Sequence, residues 1–278
     1  MTTQNIDGIT FRIKEKYDFG FIADYGRVFR VFDDQDSGNI CFGAENAEGR
    51  TFIKFAGAPA ARYDGDTAQA VKRLKEAEKI YTLLRHPTLI SFRESVDIGG
   101  GYALVFDWAD GECMGRMYEE SHRRIMGLPT EEKLGIFSAV TDFLKYTAAS
   151  GYTAVDFYDG SVMYDAKTKK TTICDIDFFR KQPACNDMGR MWGSSRFMSP
   201  EEYEKGAVLD EITNVFTLGQ MGFSLFTDSD YDPKVFPLGT GCYDILMKAI
   251  SPERENRFRT IAEIETHWLK EIKGDKYV

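Results

Sequence analysis

The sequence lacks the cysteine and charge patterns that mark several common classes of protein. Its five cysteines are widely spaced and odd in number, and no Cys-x-x-Cys pair is present to form a zinc site or a redox dithiol. This usage is typical of a reducing compartment. Basic residues are outnumbered, with 35 Lys and Arg against 44 Asp and Glu, and the formal charge of -9 opposes a phosphate backbone. We therefore expect no nucleic-acid partner.

Targeting signals and long apolar runs are also missing. The first residues lack the basic start and apolar core of a secretory signal, and no apolar run approaches the roughly 20 residues that a membrane helix needs. Internal repeats and low-complexity tracts are absent as well. These features predict a cytoplasmic protein with no membrane partner. A length of 278 residues suffices for one large domain or two lobes.

The chain does contain a change of hydrophobic period near residue 110. Before it, alternating apolar residues predict strands with one interrupting helix, and after it apolar residues at helical spacing dominate. The predicted strands are 28–32, 40–44, 51–55, 102–108, 161–164 and 171–174, and the predicted helices are 66–84, 129–149, 212–226, 242–250 and 261–272. The pattern predicts an α+β fold with an N-terminal extension (1–27), a small antiparallel β-rich lobe (28–109) and a larger, mainly helical lobe (110–278).

Three segments of the second lobe carry a specific resemblance to a known family. Residues 193–201 read Gly-Ser-Ser-Arg-Phe-Met-Ser-Pro-Glu, similar to the Gly-Thr-x-x-Tyr-Met-Ala-Pro-Glu stretch of eukaryotic-type protein kinases. Residues 214–219, Asn-Val-Phe-Thr-Leu-Gly, resemble the family's Asp-Val-Trp-Ser-Leu-Gly. Arg257 stands where the family has the arginine that pairs with the glutamate of the first stretch, here Glu201. The resemblance covers about residues 28–269 and implies a two-lobed, kinase-like fold.

The resemblance implies transfer of the γ-phosphoryl group of ATP to a hydroxyl, with Mg²⁺ as cofactor. Asp156, which ends the stretch Gly-Tyr-Thr-Ala-Val-Asp, stands where the family orients the acceptor hydroxyl. Lys54 stands where the family binds the nucleotide phosphates, and a lysine in mid-strand is costly to bury without an anion. Glu76 is the expected partner of Lys54 in nucleotide binding, and Glu78 is a competitor one register away.

Oxygen ligands for magnesium are expected from two segments. Asp175 and Asp177 follow the predicted strand 171–174, and the alternation of apolar residues favours Asp175 while Asp177 stays open. Ser161 stands five residues after Asp156, where the resemblance implies a metal-binding asparagine. A hydroxyl is a poorer neutral ligand than an amide carbonyl, but magnesium accepts oxygen donors of either kind.

The expected nucleotide loop departs most from the family, which covers the phosphates with several glycines. Residues 32–40 keep only Gly38 and include Asp33 and Asp34. Carboxylates beside phosphate are unfavourable unless they point away or meet a cation. The connector 103–111 resembles the family more closely, and it implies that the backbone of Asp107 and Ala109 binds the edge of adenine.

Two functional hypotheses follow from these residues. The first is a Ser/Thr protein kinase-like enzyme, because Ser194 lies where Ser/Thr-directed kinases carry a hydroxyl near the catalytic aspartate. Only 56 positions separate Glu201 from Arg257, a short interval that keeps a small-molecule kinase of related fold open. The second is a pseudokinase that acts as a nucleotide-sensing or scaffolding module, because Ala154 and Val155 replace the His and Arg of the family.

Overall fold

The computed structural model describes residues 1–274, and its fold is α+β. The chain forms two compact units, of which the first contains residues 1–85 and 90–109. The second contains residues 86–89 and the chain from residue 110 onwards. The last positions of the predicted helical lobe, 275–278, lie outside the described residues. No helix within residues 1–274 is long and apolar enough to cross a membrane.

The first unit is built from antiparallel strands and one helix. Its elements are β1 (Thr2–Ile6), β2 (Ile9–Ile13), β3 (Arg27–Phe32), β4 (Asn39–Asn46), β5 (Gly49–Ala56), α1 (Thr67–Leu83), β6 (Phe92–Asp97) and β7 (Tyr102–Asp107). Five strands form one sheet in the order β3-β4-β5-β7-β6, and β1 and β2 form a separate hairpin. The predicted strands and helix of this region are present, whereas the β1–β2 hairpin and β6 were not predicted.

Residues 1–27 contribute to the core of the first unit. Phe42 and Phe55 are completely buried on one face of the five-stranded sheet. The ring of Phe19 lies 5.0 Å from that of Phe42 and 5.8 Å from that of Phe55, and Phe11 lies 6.1 Å from Phe42. Such edge-to-face and tilted contacts stabilise aromatic clusters beyond their buried area. The predicted N-terminal extension is therefore the cover of one sheet face.

Helix α1 covers the other face. Asp66 caps its first turn by accepting the backbone N–H of Ala68 at 2.9 Å, which satisfies a donor that the helix itself cannot pair. Tyr81 reaches the sheet and lies 4.7 Å from the ring of Phe106. The helix ends before Pro87, as the disfavoured helical conformation ahead of a proline predicts. Its buried residues form one stripe: Ala70, Leu74, Ala77, Ile80 and Tyr81.

The second unit is mainly helical. Its helices are α2 (Glu119–Met126), α3 (Thr130–Ala149), α4 (Glu211–Thr227), α5 (Gly239–Ala249) and α6 (Ile261–Gly274), and its short strands are β8 (Glu112–Cys113), β9 (Tyr152–Thr153), β10 (Val162–Asp165), β11 (Lys170–Ile173), β12 (Arg180–Lys181), β13 (Ala184–Cys185) and β14 (Val208–Leu209). The strands pair as β11-β10-β8, β12-β9 and β13-β14. Helix α4 is buried on nearly all sides, which is typical of a central helix. Helix α2 was not predicted.

A buried carboxylate connects three segments of the second unit. Glu201 is 4% exposed and accepts two hydrogen bonds from Arg257, at 2.8 and 3.1 Å. It also accepts from Arg254 at 2.8 Å and from the hydroxyl of Thr213 at 3.1 Å. Burial is the largest single influence on Glu201 and raises its pKa, but the hydrogen bond and positive charge of Arg257, with the charge of Arg254, together leave the pKa below its ordinary value. The predicted pair of Glu201 and Arg257 is present.

We expect Glu201→Ala to lower the free energy of unfolding by about 3–5 kcal/mol, because it leaves the guanidinium of Arg257 buried without its carboxylate. Urea denaturation followed by circular dichroism measures this. Glu204→Ala, at an exposed position of the same segment, is the matched control. A loss below about 1 kcal/mol in the Glu201 variant would remove the pair from the interactions that stabilise the unit.

The neighbouring Glu202 is a second buried carboxylate, with a different environment. Its Oε2 accepts the backbone N–H of Ser199 at 2.7 Å and the hydroxyl of Ser199 at 2.9 Å. No arginine or lysine within residues 1–274 forms an ion pair with it. Burial therefore dominates over the bonds from Ser199 and raises the pKa of Glu202 from 4.5 to about 7.

This raised pKa makes stability depend on pH. Between pH 4.5 and about 7 the folded protein binds a proton at Glu202 that the unfolded chain releases, so stability falls as pH rises through this interval. The loss is on the order of 3 kcal/mol. Urea unfolding at a series of pH values should show the decline in the wild type and a smaller decline in Glu202→Gln. Equal slopes for the two proteins would contradict the assignment.

Candidate functional site

The loop that contains Asp156 is attached to helix α4 by one buried amide. Asn214 is fully buried, and its Oδ1 accepts the backbone N–H of Ala154 at 2.7 Å. Its Nδ2 donates to the carbonyl of Tyr152 at 3.3 Å. A single amide thus satisfies one donor and one acceptor of the loop, which a carboxylate cannot do. This explains why an asparagine fits here, where the kinase motif that the sequence resembles has an aspartate.

Val155 connects the same loop to the segment that follows residue 190. It is 1% exposed and packs in an apolar cluster with Met191, Met198 and Leu209. Gly193 lies against the loop as well, since a Cβ added there would be 3.5 Å from Oδ1 of Asp156. Packing around Val155 therefore brings the segment 191–198 next to Asp156. Ser194, half-buried beside Gly193, belongs to this segment.

Asp175 and Asp156 share an unusual backbone conformation, and both charges act on the phenol of Tyr158. Both adopt left-handed backbone conformations, with φ of 58° and 61°, which are uncommon outside glycine and concentrate at functional sites. Burial raises the pKa of Tyr158, and the negative charges of Asp175 and then Asp156 raise it further. Asp156 and Asp175 of the second unit are thus near enough to Tyr158 for both charges to act on it. Asp177, the other predicted candidate, is half-buried two residues after Asp175.

Ser161 provides a test of whether the second unit fits a magnesium ion. Its side chain is fully buried, and its Oγ makes no hydrogen bond with any of residues 1–274. Its backbone carbonyl accepts the N–H of Cys174 at 2.8 Å, which fixes Ser161 beside the residue that precedes Asp175. An unpaired buried hydroxyl is one oxygen donor of the kind that magnesium accepts. Residues 1–274 contain no group of three or more His, Cys, Asp or Glu side chains arranged for a metal.

Lys54 lies in the middle of β5 on the sheet face that carries α1. It is 8% exposed and stands opposite Leu104, which in turn stands opposite Ser95. Directly opposed residues of antiparallel strands point to the same face of the sheet. The hydroxyl of Ser95 donates to Glu78 at 2.7 Å, so Lys54 and Glu78 project on the same side.

Glu76, the expected partner of Lys54, lies elsewhere. Its side chain is exposed, whereas Glu78 is half-buried and also accepts the hydroxyl of Tyr102 at 2.6 Å. Successive helical residues are separated by about 100°, so Glu76 and Glu78 flank the buried Ala77 on opposite sides. Of the two candidates, Glu78 is therefore the one that faces the sheet, and the expectation for Glu76 differs from the structure.

The acidic residues of the expected nucleotide loop are neutralised by arginines. Arg12 donates to Asp33 at 3.0 Å and to Asp34 at 2.7 Å, and Arg62 pairs with Asp34 at 2.7 Å. The bond from Arg12 lowers the pKa of Asp33. The carboxylates of Asp33 and Asp34 thus meet cations, which is the condition for acidic side chains to lie near phosphate.

Gly38 was expected at the open tip of a phosphate-binding loop, but it is buried. It is buried between Tyr63 and α1, and a Cβ added there would lie 2.8 Å from the Cβ of Ala70. The glycine is therefore required for close packing of the loop on the helix. Because Gly38 packs against protein atoms, it does not form an open phosphate-binding turn.

Aromatic rings cover the end of the sheet that the resemblance assigns to adenine. Phe52 lies 6.3 Å from Phe106 and 6.4 Å from Trp108, and Trp108 lies 4.8 Å from Phe29. Gly43 allows this arrangement, because a Cβ there would come within 2.8 Å of the rings of both Phe29 and Trp108. The chain's own side chains occupy the sheet surface at this end.

The two residues expected to bind adenine, Asp107 and Ala109, lie at the end of β7 and just after it. Asp107 ends β7, and its backbone N–H donates to the carbonyl of Ser91 at 2.9 Å. Its carboxylate accepts from Arg93. Ala109 is half-buried at the last position of the first unit.

Comparison with known proteins adds no family assignment. The chain matches no protein-family model, and it has no significant match among curated proteins.

Sequence reasoning did not identify Tyr158 or the role of Asn214. A signal for the first was its position two residues after Asp156, within the stretch already singled out. The signal for Asn214 was an amide in an otherwise apolar helix, where a polar side chain must find buried partners.

Changing Asn214 to the residue that the family carries is expected to destabilise this protein. Asn214→Asp keeps an acceptor for Ala154 but removes the donor to Tyr152 and buries a charge, so we expect a loss of about 1–3 kcal/mol in the free energy of unfolding. Urea denaturation at pH 7 measures it, with the exposed Asn256→Asp as control. Unchanged stability of the Asn214 variant would mean that the amide does not hold the loop.

Proposed function

We propose that the chain is a phosphotransferase that moves the γ-phosphoryl group of MgATP to a hydroxyl. The observation that carries this proposal is that Asp156 and Asp175 lie in one region of the second unit: the backbone bond from Cys174 to Ser161 fixes the residue before Asp175, Gly193 packs against Asp156, and both charges act on Tyr158. Two carboxylates in one site can divide the work of orienting an acceptor hydroxyl and holding a metal ion. The ordered resemblance to protein kinases supports the same reaction.

The proposed roles follow from the chemistry of each side chain. Asp156 orients the acceptor hydroxyl and accepts its proton, and Asp175 with Ser161 would hold magnesium. When bound, magnesium supplies positive charge that stabilises the transferred phosphoryl group. Lys54, in the first unit, is the proposed cation for the nucleotide phosphates, and Glu78 is the carboxylate on its face of the sheet.

The acceptor is proposed to be a serine or threonine hydroxyl of a protein. The half-buried Ser194 supports this choice, because it follows Gly193, whose backbone packs against Asp156. The short interval between Glu201 and Arg257 keeps a small-molecule hydroxyl as the other acceptor class.

A second candidate function is a binding module without turnover. It is favoured by the aromatic rings of Phe52, Trp108 and Phe29, which cover the sheet surface where the resemblance would put adenine. The buried position of Gly38 also favours it, because a phosphate-binding turn needs open backbone N–H groups.

Calorimetric titration with ATP separates the two candidates without knowledge of the acceptor. We expect the wild type to bind ATP in the presence of magnesium, and Asp175→Asn to weaken this binding at least about tenfold through loss of a metal ligand. Asp177→Asn is the matched control and should bind like the wild type. Absence of ATP binding by the wild type with magnesium would sink the phosphotransferase proposal and favour the binding module.

A further inference from the structure

A cavity lies between β1 and the segment that connects the N-terminal hairpin to β3. Its volume is about 480 Å³, within the range of about 300–1,000 Å³ that is usual for small-ligand sites. Phe19 and Ile22, which are 5% and 1% exposed, provide part of its apolar lining. The cavity lies wholly within the first unit and shares no residue with the region around Asp156.

Two carboxylates line this cavity at different points along β1. Asp7 directly follows the strand, and its Oδ2 accepts the backbone N–H of Val28 at 2.8 Å. Asp18 lies beside Gln4, because the amide of Gln4 bonds the carbonyl and the N–H of Tyr17 at 2.6 and 3.0 Å. Strand residues rise about 3.4 Å each, so the three steps from Gln4 to Asp7 separate the backbones beside the two carboxylates by about 10 Å.

One oxygen of each carboxylate is left for a ligand. Oδ1 of Asp18 accepts the backbone N–H of Gly20 at 2.8 Å, as Oδ2 of Asp7 does with that of Val28. Within residues 1–274 the second oxygens accept no hydrogen bond, and no arginine or lysine forms an ion pair with either aspartate. The bonded oxygens fix the orientation of both carboxylates in advance, which lowers the entropic cost of binding a cation.

Arg27 adds a positive charge to the lining. It begins β3 directly opposite Glu45 of β4, and directly opposed residues of antiparallel strands project to the same face. Among residues 1–274, however, Arg27 forms no ion pair or hydrogen bond with Glu45 or with any other side chain. Asp7 bonds the residue after Arg27 and forms no ion pair with it either. The guanidinium is therefore free to bind an anion in the cavity.

The three charges define the composition of the ligand that fits. Two negative groups and one positive group of the protein complement a molecule with two cations and one anion, and a free basic amino acid has this composition. Arg27 and Asp7 lie at one end of the cavity, where they match an α-carboxylate and an α-ammonium group. Asp18, at the other end, matches the cation of the side chain. The long methylene stem of arginine or lysine suits the apolar lining between the two ends.

We propose that this cavity binds a free basic amino acid such as arginine, with its α-carboxylate on Arg27, its α-ammonium group on Asp7 and its side-chain cation on Asp18. The site is independent of phosphoryl transfer, because all three residues belong to the N-terminal part of the first unit. Failure of either proposal therefore leaves the other standing.

Calorimetric titration with L-arginine, L-citrulline and agmatine tests the site. Citrulline has the shape of arginine without the side-chain charge, and agmatine lacks the carboxylate. We expect the wild type to bind L-arginine at least about tenfold more tightly than either analogue, because each analogue loses one charge-assisted contact. Asp18→Asn should weaken L-arginine binding about tenfold and change L-citrulline binding less than about twofold. Arg27→Gln should remove the preference for L-arginine over agmatine.

Both variants should melt at the temperature of the wild type. Asparagine at position 18 keeps an oxygen that accepts the N–H of Gly20, and the side chain of Arg27 bonds nothing within residues 1–274. Asp24→Asn, at an exposed position of the same segment outside the cavity, is the matched control and should bind L-arginine like the wild type.

Three results would overturn the proposal. One is a wild type that binds neither L-arginine nor L-lysine at about 10 mM. Another is equal affinity of the wild type for L-arginine and L-citrulline, because the side-chain cation would then meet no carboxylate. The third is equal L-arginine binding by Asp18→Asn and Asp24→Asn, because binding would then reflect the general attraction of a cation to an acidic protein.

Discussion

The second unit depends on the desolvated carboxylate of Glu201. An ionised group that is 4% exposed must be compensated by donors, and three side chains provide them: Arg257, Arg254 and Thr213. These donors belong to different parts of the chain, two to the turn after α5 and one to the first turn of α4. Because all of them converge on one carboxylate, the end of the segment 193–201, the start of α4 and that turn are fixed relative to one another.

The segments joined at Glu201 also hold the candidate site in place. Helix α4 supplies Asn214, whose amide holds the loop before Asp156, and the segment 191–198 packs on Val155 of that loop through Met191 and Met198. Amide hydrogen bonds and apolar packing do not change with phosphorylation or with modest changes of salt. The position of Asp156 is therefore set by the folded core of the second unit.

The first unit combines features that favour opposite functions. The neutralisation of Asp33 and Asp34 by arginines removes the repulsion expected between an acidic loop and phosphate. The aromatic rings around Gly43 and the buried Gly38 reduce the open surface on which a nucleotide could lie. Lys54 keeps its place on the helix-covered face of the sheet. Nucleotide binding is for this reason the property that decides between an enzyme and a binding module.

Local pattern determined the strands and helices whose apolar residues repeat regularly, whereas the pairing of Glu201 with Arg257 was implied by the resemblance to protein kinases. The local pattern missed the β1–β2 hairpin although Asp7-Gly8, with φ of 52° and 92°, is a common turn signal, and it missed the short helix α2. Tertiary structure alone decided between Glu76 and Glu78, and it alone showed the burial of Gly38 and the packing of Gly193 against Asp156. The physical reason is that a shift of one residue rotates a helical side chain by about 100°, and only contacts between segments distant in sequence show which rotation is realised.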